Sequence, residues 1–279
     1  MADLSRFLLV SDFDHTLTDH RGDIPRANLE AISRFSENGG IFTVCTGRSL
    51  PASQGLLQAV PINAPLLFCN GAACYDTEKE DLIFCHPLSD EAGPLIDFCR
   101  EAFPDLRLEV HTLEAHYAFG EDARRDASLR RRGTPYTYPS DVSQIPKPWV
   151  KFSLYSRDGD VATIDPGSAR GQYFQKATET VARQGGDRFT VTLSMPGLIE
   201  VQKAGTSKGL AARELAEKLS RPVLVCVGDA PNDIPMLEEA DLAFLASDGD
   251  SRMMGYPYKK AAPSYEGTVA DVIWMLENA

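Results

Sequence analysis

The sequence predicts an α/β protein: a parallel sheet with helices on both faces, interrupted by an inserted α+β segment. Three observations carry this. Continuous apolar runs at 7–10, 41–45 and 222–227 read as strands buried on both faces. Polar clusters end these runs, and helical periodicity separates them, the rhythm of parallel strands joined by crossover helices. From about 85 to 198 the texture changes to helices and hairpins, then reverts.

Phe7-Leu8-Leu9-Val10 is the first strand and runs into Ser11-Asp12-Phe13-Asp14. Residues i and i+2 of an extended chain share a face, so Asp12 and Asp14 converge. A hard divalent cation with oxygen ligands, Mg²⁺ foremost, would relieve their repulsion. A carboxylate held this way suits attack on a phosphoryl group. The plainer reading of one D-x-D is a strand followed by a polar turn.

Pro25 to Asn38 reads as a helix, with Pro25 in its first turn, Leu29, Ile32 and Phe35 on one face and Gly39-Gly40 ending it. Ile41 to Cys45 is a second strand, running into Thr46-Gly47-Arg48. Leu66 to Cys69 is a third, stopped by Asn70-Gly71, a hairpin turn leading into Ala72 to Tyr75. The insert holds helices at Asp90–Ala102 and Ala169–Gln184, and paired strands at Leu106–Val110 and Ala115–Phe119. Lys151 to Tyr155 alternates as a half-buried strand does, and Phe189–Leu193 with Leu198–Gln202 forms a hairpin around Met195-Pro196-Gly197. Pro135 to Pro148 is a proline-rich surface connection. Ser207 to Ser220 is a helix with Leu210, Leu215 and Leu219 inward. The strand Pro222–Val227 ends at Gly228-Asp229-Ala230-Pro231-Asn232-Asp233. A short helix from Ile234, a strand at Leu242–Leu245 and a helix at Thr268–Glu277 close the chain. In open parallel sheets ligands bind beyond the carboxyl ends of strands. The clusters at Asp12, Thr46 and Asn70 all sit at such ends.

The 279 residues suffice for one large domain or two ordinary ones. A hydrophobic share of 43% allows a full core, while a net charge of −12 argues against nucleic acid or an anionic membrane as partner. An anionic substrate then needs a local patch of metal and lysine. The six cysteines form no CxxC pair or zinc spacing, and Cys45, Cys69 and Cys226 lie in apolar runs as buried thiols. The five histidines have no metal-ligand spacing and are taken as incidental. There is no apolar run long enough to span a membrane and no signal-peptide core, so a cytoplasmic location is expected.

The ordered set Asp12-x-Asp14-x-Thr16, Thr46-Gly47-Arg48, Lys208 and Gly228-Asp229-x-x-Asn232-Asp233 resembles the haloacid dehalogenase-like phosphohydrolases, and within them the Cof-type group. The resemblance covers 1–84 and 199–279, and an insert at 85–198 matches that group's α/β cap of the C2 type. It implies a Rossmann-like core, a specificity-determining cap, a Mg²⁺ cofactor and a small phosphorylated metabolite, such as a sugar phosphate, as substrate. Asp12 would be the nucleophile and a metal ligand. Asp14 would be general acid and base, its backbone carbonyl completing the metal site. Thr46 would bind phosphoryl oxygens, and Lys208 would offset charge between them and Asp12. Asp229 would be the third protein ligand, with Asn232 and Asp233 orienting metal-bound water from behind.

Plainer roles stand beside these. Thr46-Gly47 also reads as a strand-to-helix turn with Thr46 as N-cap. Lys208 sits near a helix start, where a cation is disfavoured by about 0.3–1 kcal/mol, which points to a functional placement. Asp233 is also in a favourable structural place at a helix N-terminus. Gly47, Arg48 and Asn70 are candidate substrate contacts; Arg48 either meets the leaving group or forms a surface ion pair. The arginines of 124–132 either read a second anionic group or form a solvated helix face. Two features depart from the family. His15 stands where it usually has glycine, and Leu242 to Ser247 replaces its usual strand. The segment Gly228 to Leu237 resembles mannosyl-3-phosphoglycerate phosphatases. A phosphomutase-type transferase and a non-catalytic metabolite-binding regulator on the same fold are the alternative readings.

Overall fold

The computed structural model describes residues 3–158 and 161–278. The chain clusters into two compact units, one of 1–47, 57–84 and 207–279, the other of 48–56 and 85–206.

In chain order the elements are β1 (Phe7–Ser11), α1 (Arg26–Glu37), β2 (Ile41–Val44), α2 (Leu50–Leu57), β3 (Leu66–Phe68), β4 (Ala73–Asp76) and β5 (Asp81–Cys85). The insert follows with α3 (Ala92–Ala102), β6 (Leu106–His111), β7 (His116–Phe119), α4 (Ala123–Arg131), β8 (Tyr136–Thr137), β9 (Lys151–Ser156), α5 (Ala169–Gly185), β10 (Phe189–Met195) and β11 (Leu198–Lys203). The chain ends with α6 (Lys208–Lys218), β12 (Val223–Gly228), α7 (Ile234–Glu239), β13 (Leu242–Ala246), β14 (Lys259–Ala261) and α8 (Thr268–Glu277).

The first unit is built on a parallel sheet of order β14-β13-β12-β1-β2. Every residue of β1 is buried because strands flank it on both edges and helices cover both faces. Leu8 and Val10 pair in register with Leu224 and Cys226, and this face packs under Ala211, Ala212 and Leu215 of α6 and Met236 and Leu237 of α7. Helices α1 and α8 pack on one another, α1 also against β2 and α8 against β14. The chain leaves β1 towards β2 and later returns to its other side as β12. That reversal of strand order falls between β1 and β12, and in open parallel sheets ligands bind at such a point, in the crevice beyond the carboxyl ends of the strands.

The third apolar run does not extend this sheet as expected. Only a bridge from Cys45 to Leu67 continues the parallel pairing, and β3 enters an antiparallel sheet β3-β4-β5. The turn at Asn70-Gly71 returns the chain at once along β3, and the hairpin takes up its ladder. Leu210 is also corrected: it is 49% exposed, because the inward side of α6 is set by Lys208, Ala211, Ala212 and Leu215.

The second unit is a six-stranded sheet of order β10-β11-β9-β6-β7-β8, antiparallel except where β7 meets β8. Thus part of the proline-rich stretch forms β8. The hairpin strand β11 pairs with β9 and β10, so the unit runs on to residue 206. One face is apolar: Leu108, Phe152, Leu154 and Ile199 pack under Ile96 of α3 and Phe174 and Val181 of α5. The other face carries Arg107, Glu109, His111, Lys151, Ser153 and Glu200, all buried as well. Strand β9 is therefore buried on both faces, not one. No helix among the described residues is long and apolar enough to cross a membrane.

Candidate active site

Strand β1 delivers Asp12 to the crevice; the Asp12 backbone N–H still donates to Val227 O at 2.9 Å, so its position is set by the β12 ladder. The chain then leaves the extended form through a wide turn over 13–17, which Thr18 N–H closes on Phe13 O at 3.0 Å. Asp14 thus lies on a turn, not on a continued strand, and its nearness still adds to the forces raising the Asp12 pKa.

Lys208 opens α6, whose first turn is capped by Ser207 Oγ accepting from Leu210 N–H at 3.1 Å. Two close approaches fix that helix start. A Cβ on Gly209 would come within 1.9 Å of Pro235 O, and one on Gly71 within 2.5 Å of Ser207 O. The Lys208 ammonium is consequently buried, donating to Asp12 Oδ1 and to Asp233 Oδ1, each at 2.6 Å. Burial alone would depress its pKa; Asp12 and Asp233 hold it well above the ordinary value. This resolves the unfavourable placement of a cation at a helix N-terminus: the partners are two buried carboxylates.

Asp229 follows β12, and its Oδ1 accepts from Thr16 Oγ1 at 2.8 Å. Asp233 spends its second oxygen on the N–H groups of Asp229 and Ala230, at 3.0 and 3.1 Å. Gly228 is required beside it, since a Cβ there would lie 2.6 Å from Asp233 Cβ. Asn232 is half-buried in the same short turn. Carboxylate oxygens of Asp12, Asp229 and Asp233 come within 4.8 Å of one another. Burial and the charge of Asp233 push Asp12 up to about 7 despite Lys208, and burial with Asp233 and Asp12 pushes Asp229 up to about 8. Such a group cannot hold all its negative charge unaided, and a hard divalent cation fits the deficit. With Asp233 already engaged by Lys208 and two backbone donors, Asp12 and Asp229 are the carboxylates suited to hold it.

The register of β2 against β1 brings Thr46 beside this group: Cys45 N–H donates to Ser11 O at 2.9 Å, and Thr46 is the next residue. Thr46 is buried and does not cap α2, which starts at Leu50. Asn70 N–H donates to Thr46 O at 2.9 Å, and a Cβ on Gly47 would lie 2.8 Å from Asn70 Oδ1, so Thr46, Gly47 and Asn70 form one edge. Arg48 is half-buried and opens the segment that clusters with the second unit. Two supports escaped sequence reasoning. The motif places Thr16 but not its bond to Asp229, and the glycines at 71, 209 and 228 read in sequence only as turn, helix or strand-end residues.

Two of the histidines, His111 and His116, belong to a buried polar network. In the second unit His111 and His116 face each other across β6 and β7, ring centroids 4.0 Å apart, beside Glu109. The donor atoms of these three residues lie within 4.8 Å of one another. A cation does not fit there: Arg107 Nε and Arg125 Nη2 already hold the Glu109 oxygens at 2.7 and 2.9 Å, and Lys151 adds further positive charge. Burial alone would raise the Glu109 pKa, but Arg125 and His116 keep it well below the usual carboxylate range. Arg125 is therefore committed to Glu109, while Arg124, Arg130, Arg131 and Arg132 are exposed.

A family profile of haloacid dehalogenase-like hydrolases matches residues 9–273. A 5-amino-6-(5-phospho-D-ribitylamino)uracil phosphatase of Bacillus subtilis is 26% identical over 250 residues, spanning 83% of this chain and 84% of its own. The phosphoglycolate phosphatase of Methanoculleus marisnigri is 28% identical over 242 residues, spanning 84% and 81%. A solved haloacid dehalogenase-like hydrolase from Bacteroides thetaiotaomicron shares the fold, with a TM-score of 0.79 at 19% identity over 96% of this chain and 98% of that one. With acidic clusters ending β1 and β12, a buried lysine between them, and a profile that runs from the first strand into the last helix, the chain belongs to the haloacid dehalogenase-like hydrolases.

Proposed function

We propose that the protein is a Mg²⁺-dependent phosphatase of small phosphorylated metabolites, working through a phosphoryl group carried on Asp12. The observation that carries this reading is the buried Lys208 ammonium shared between Asp12 and Asp233, with Asp229 in the same carboxylate group. A binding module has no need of an acidic side chain pinned in this way.

In the first step a carboxylate oxygen of Asp12 attacks phosphorus and the ester P–O bond breaks. Asp14, as the acid, gives its proton to the departing alkoxide, a contribution of about 10²–10⁴-fold for such a group. In the second step Asp14 takes a proton from water, the water oxygen attacks phosphorus, and the bond to Asp12 breaks to restore the carboxylate. Lys208 and Thr46 stabilise charge on the transferring oxygens. Asp12 and Asp229, with the backbone carbonyl of Asp14, would hold Mg²⁺, which supplies charge neutralisation for the phosphoryl oxygens. Asn232 and Asp233 support that set from behind, and Gly47, Arg48 and Asn70 are the proposed substrate contacts.

We assign the core role to the first unit and the choice of leaving group to the insert, whose end the pairing of β11 moves from the expected 198 to residue 206. The two relatives named above act, by their names, on chemically different phosphate esters, so the class carries over and the individual substrate does not. Hydrolysis of a chromogenic phosphate ester with and without Mg²⁺ tests the reading. Turnover by the wild type and none by Asp12→Asn supports it; equal turnover by both overturns it.

A further inference from the structure

The turn that carries Asp14 passes at its middle residue, His15, through a conformation that side chains disfavour. His15 has φ +62° and ψ 8°, in the left-handed region that side chains seldom enter without a compensating tie. Its Nδ1 meets His20 Nδ1 at 2.6 Å. His20 Nε2 lies 3.2 Å from Asp248 Oδ2, and Asp248 accepts from Ser264 N–H at 2.8 Å and Ser264 Oγ at 2.7 Å. An ionised carboxylate only accepts, so His20 Nε2 carries the proton that faces Asp248, and between the two Nδ1 atoms one ring donates and the other accepts. The loop reached at the far end is the one that supports Asp229. Asp250 N–H donates to Asp229 O at 2.8 Å, and a Cβ on Gly249 would come within 2.6 Å of that same oxygen.

We propose that His15, His20 and Asp248 form a clamp that positions Asp14, tying the turn after β1 to the loop after β13. His15 N–H already donates to Thr18 Oγ1 at 3.2 Å, and the clamp adds a side-chain tie to that local one, so the carboxyl of Asp14 is aimed while the left-handed backbone beside it is kept from relaxing. His15 and His20 are positioning residues and touch no substrate. The role given to Asp14 rests on the phosphatase reading; the existence of the clamp does not.

Three variants separate the clamp from simple folding. His15→Gly suits the left-handed backbone better than histidine and keeps its N–H, but has no side chain to reach His20. His15→Asn tolerates the same backbone and restores a side chain that can donate or accept. His20→Ala removes the middle link. The ratio of kcat on an alkyl phosphate, which needs the acid, to kcat on p-nitrophenyl phosphate should fall about tenfold in His15→Gly and His20→Ala, and recover in His15→Asn. The Tm of His15→Gly should stay at or above that of the wild type, which a purely structural role would not allow alongside the lost ratio. Without any turnover, amide hydrogen exchange at 13–18 should speed up several-fold in His15→Gly and His20→Ala and return towards the wild-type rate in His15→Asn. Wild-type exchange in His15→Gly and His20→Ala overturns the clamp, and a wild-type ester ratio in both overturns its positioning role. A wild type inactive on both esters refutes the phosphatase reading, and the exchange rates then decide on the clamp alone.

Discussion

Lys208 Nζ lies 2.6 Å from Asp12 Oδ1, with both side chains buried beyond the end of β1. Removing one partner of such a pair leaves the other charge without compensation, at a cost of about 3–5 kcal/mol. We expect Lys208→Met to lower the unfolding free energy by roughly that amount and to abolish turnover. Urea denaturation beside a kinetic assay checks this. A variant as stable and active as the wild type would show the ammonium to be incidental.

Asp14→Asn should separate good from poor leaving groups. On alkyl phosphates the loss should approach the general-acid contribution of about 10²–10⁴-fold, while esters that depart without a proton should lose far less. Rates on a series of esters graded by leaving-group pKa test it. Equal losses along the series would remove Asp14 from the role of acid.

Asp229→Asn should abolish stabilisation by Mg²⁺. A ligand that binds only the folded state at one hundred times its Kd adds about 2.7 kcal/mol, so Mg²⁺ should raise the Tm of the wild type, and EDTA should reverse the effect. An equal rise in Asp229→Asn would place the ion elsewhere.

Burial, with His116 and Lys151 close by, holds His111 well below its ordinary pKa; Glu109 opposes this and Arg125 adds to it. The folded protein therefore keeps the ring neutral while the unfolded chain protonates it below about pH 6.5. The unfolded state binds the additional proton, so stability is lost as pH falls through that value towards the depressed folded pKa. Replacing the ring by leucine should make the decline in Tm between about pH 7 and pH 5 shallower. Parallel declines in the two proteins would contradict this.

Much of the candidate site was legible because a strand buried on both faces is a continuous apolar run, and β1 and β12 each stop at acidic residues. Lys208 stood out through its odd position at a helix start. Thr16 and Asp229 are joined by a hydrogen bond across 213 positions, and no local pattern reports a tie of that range. The fate of β3 was hidden because its apolar run suits either sheet. The polar face of the insert misled for a different reason. Alternation of Lys151 and Ser153 with apolar neighbours looks like a half-solvated strand, but ion pairs such as Lys151 with Glu200 and Arg125 with Glu109 let that face be buried too. His15 was visible as an unusual residue after Asp14, whereas its left-handed backbone and its reach to His20 belong to the folded turn.

The central claim is that the side chain of Asp12 carries the phosphoryl group between the two steps. The most direct measurement is mass spectrometry of enzyme quenched in acid during turnover, with the acyl phosphate trapped by borohydride reduction. The account predicts a reduced aspartate at Asp12 that depends on substrate and Mg²⁺. A trapped group on any other residue, or a burst of product with Asp12 unmodified throughout, would contradict it.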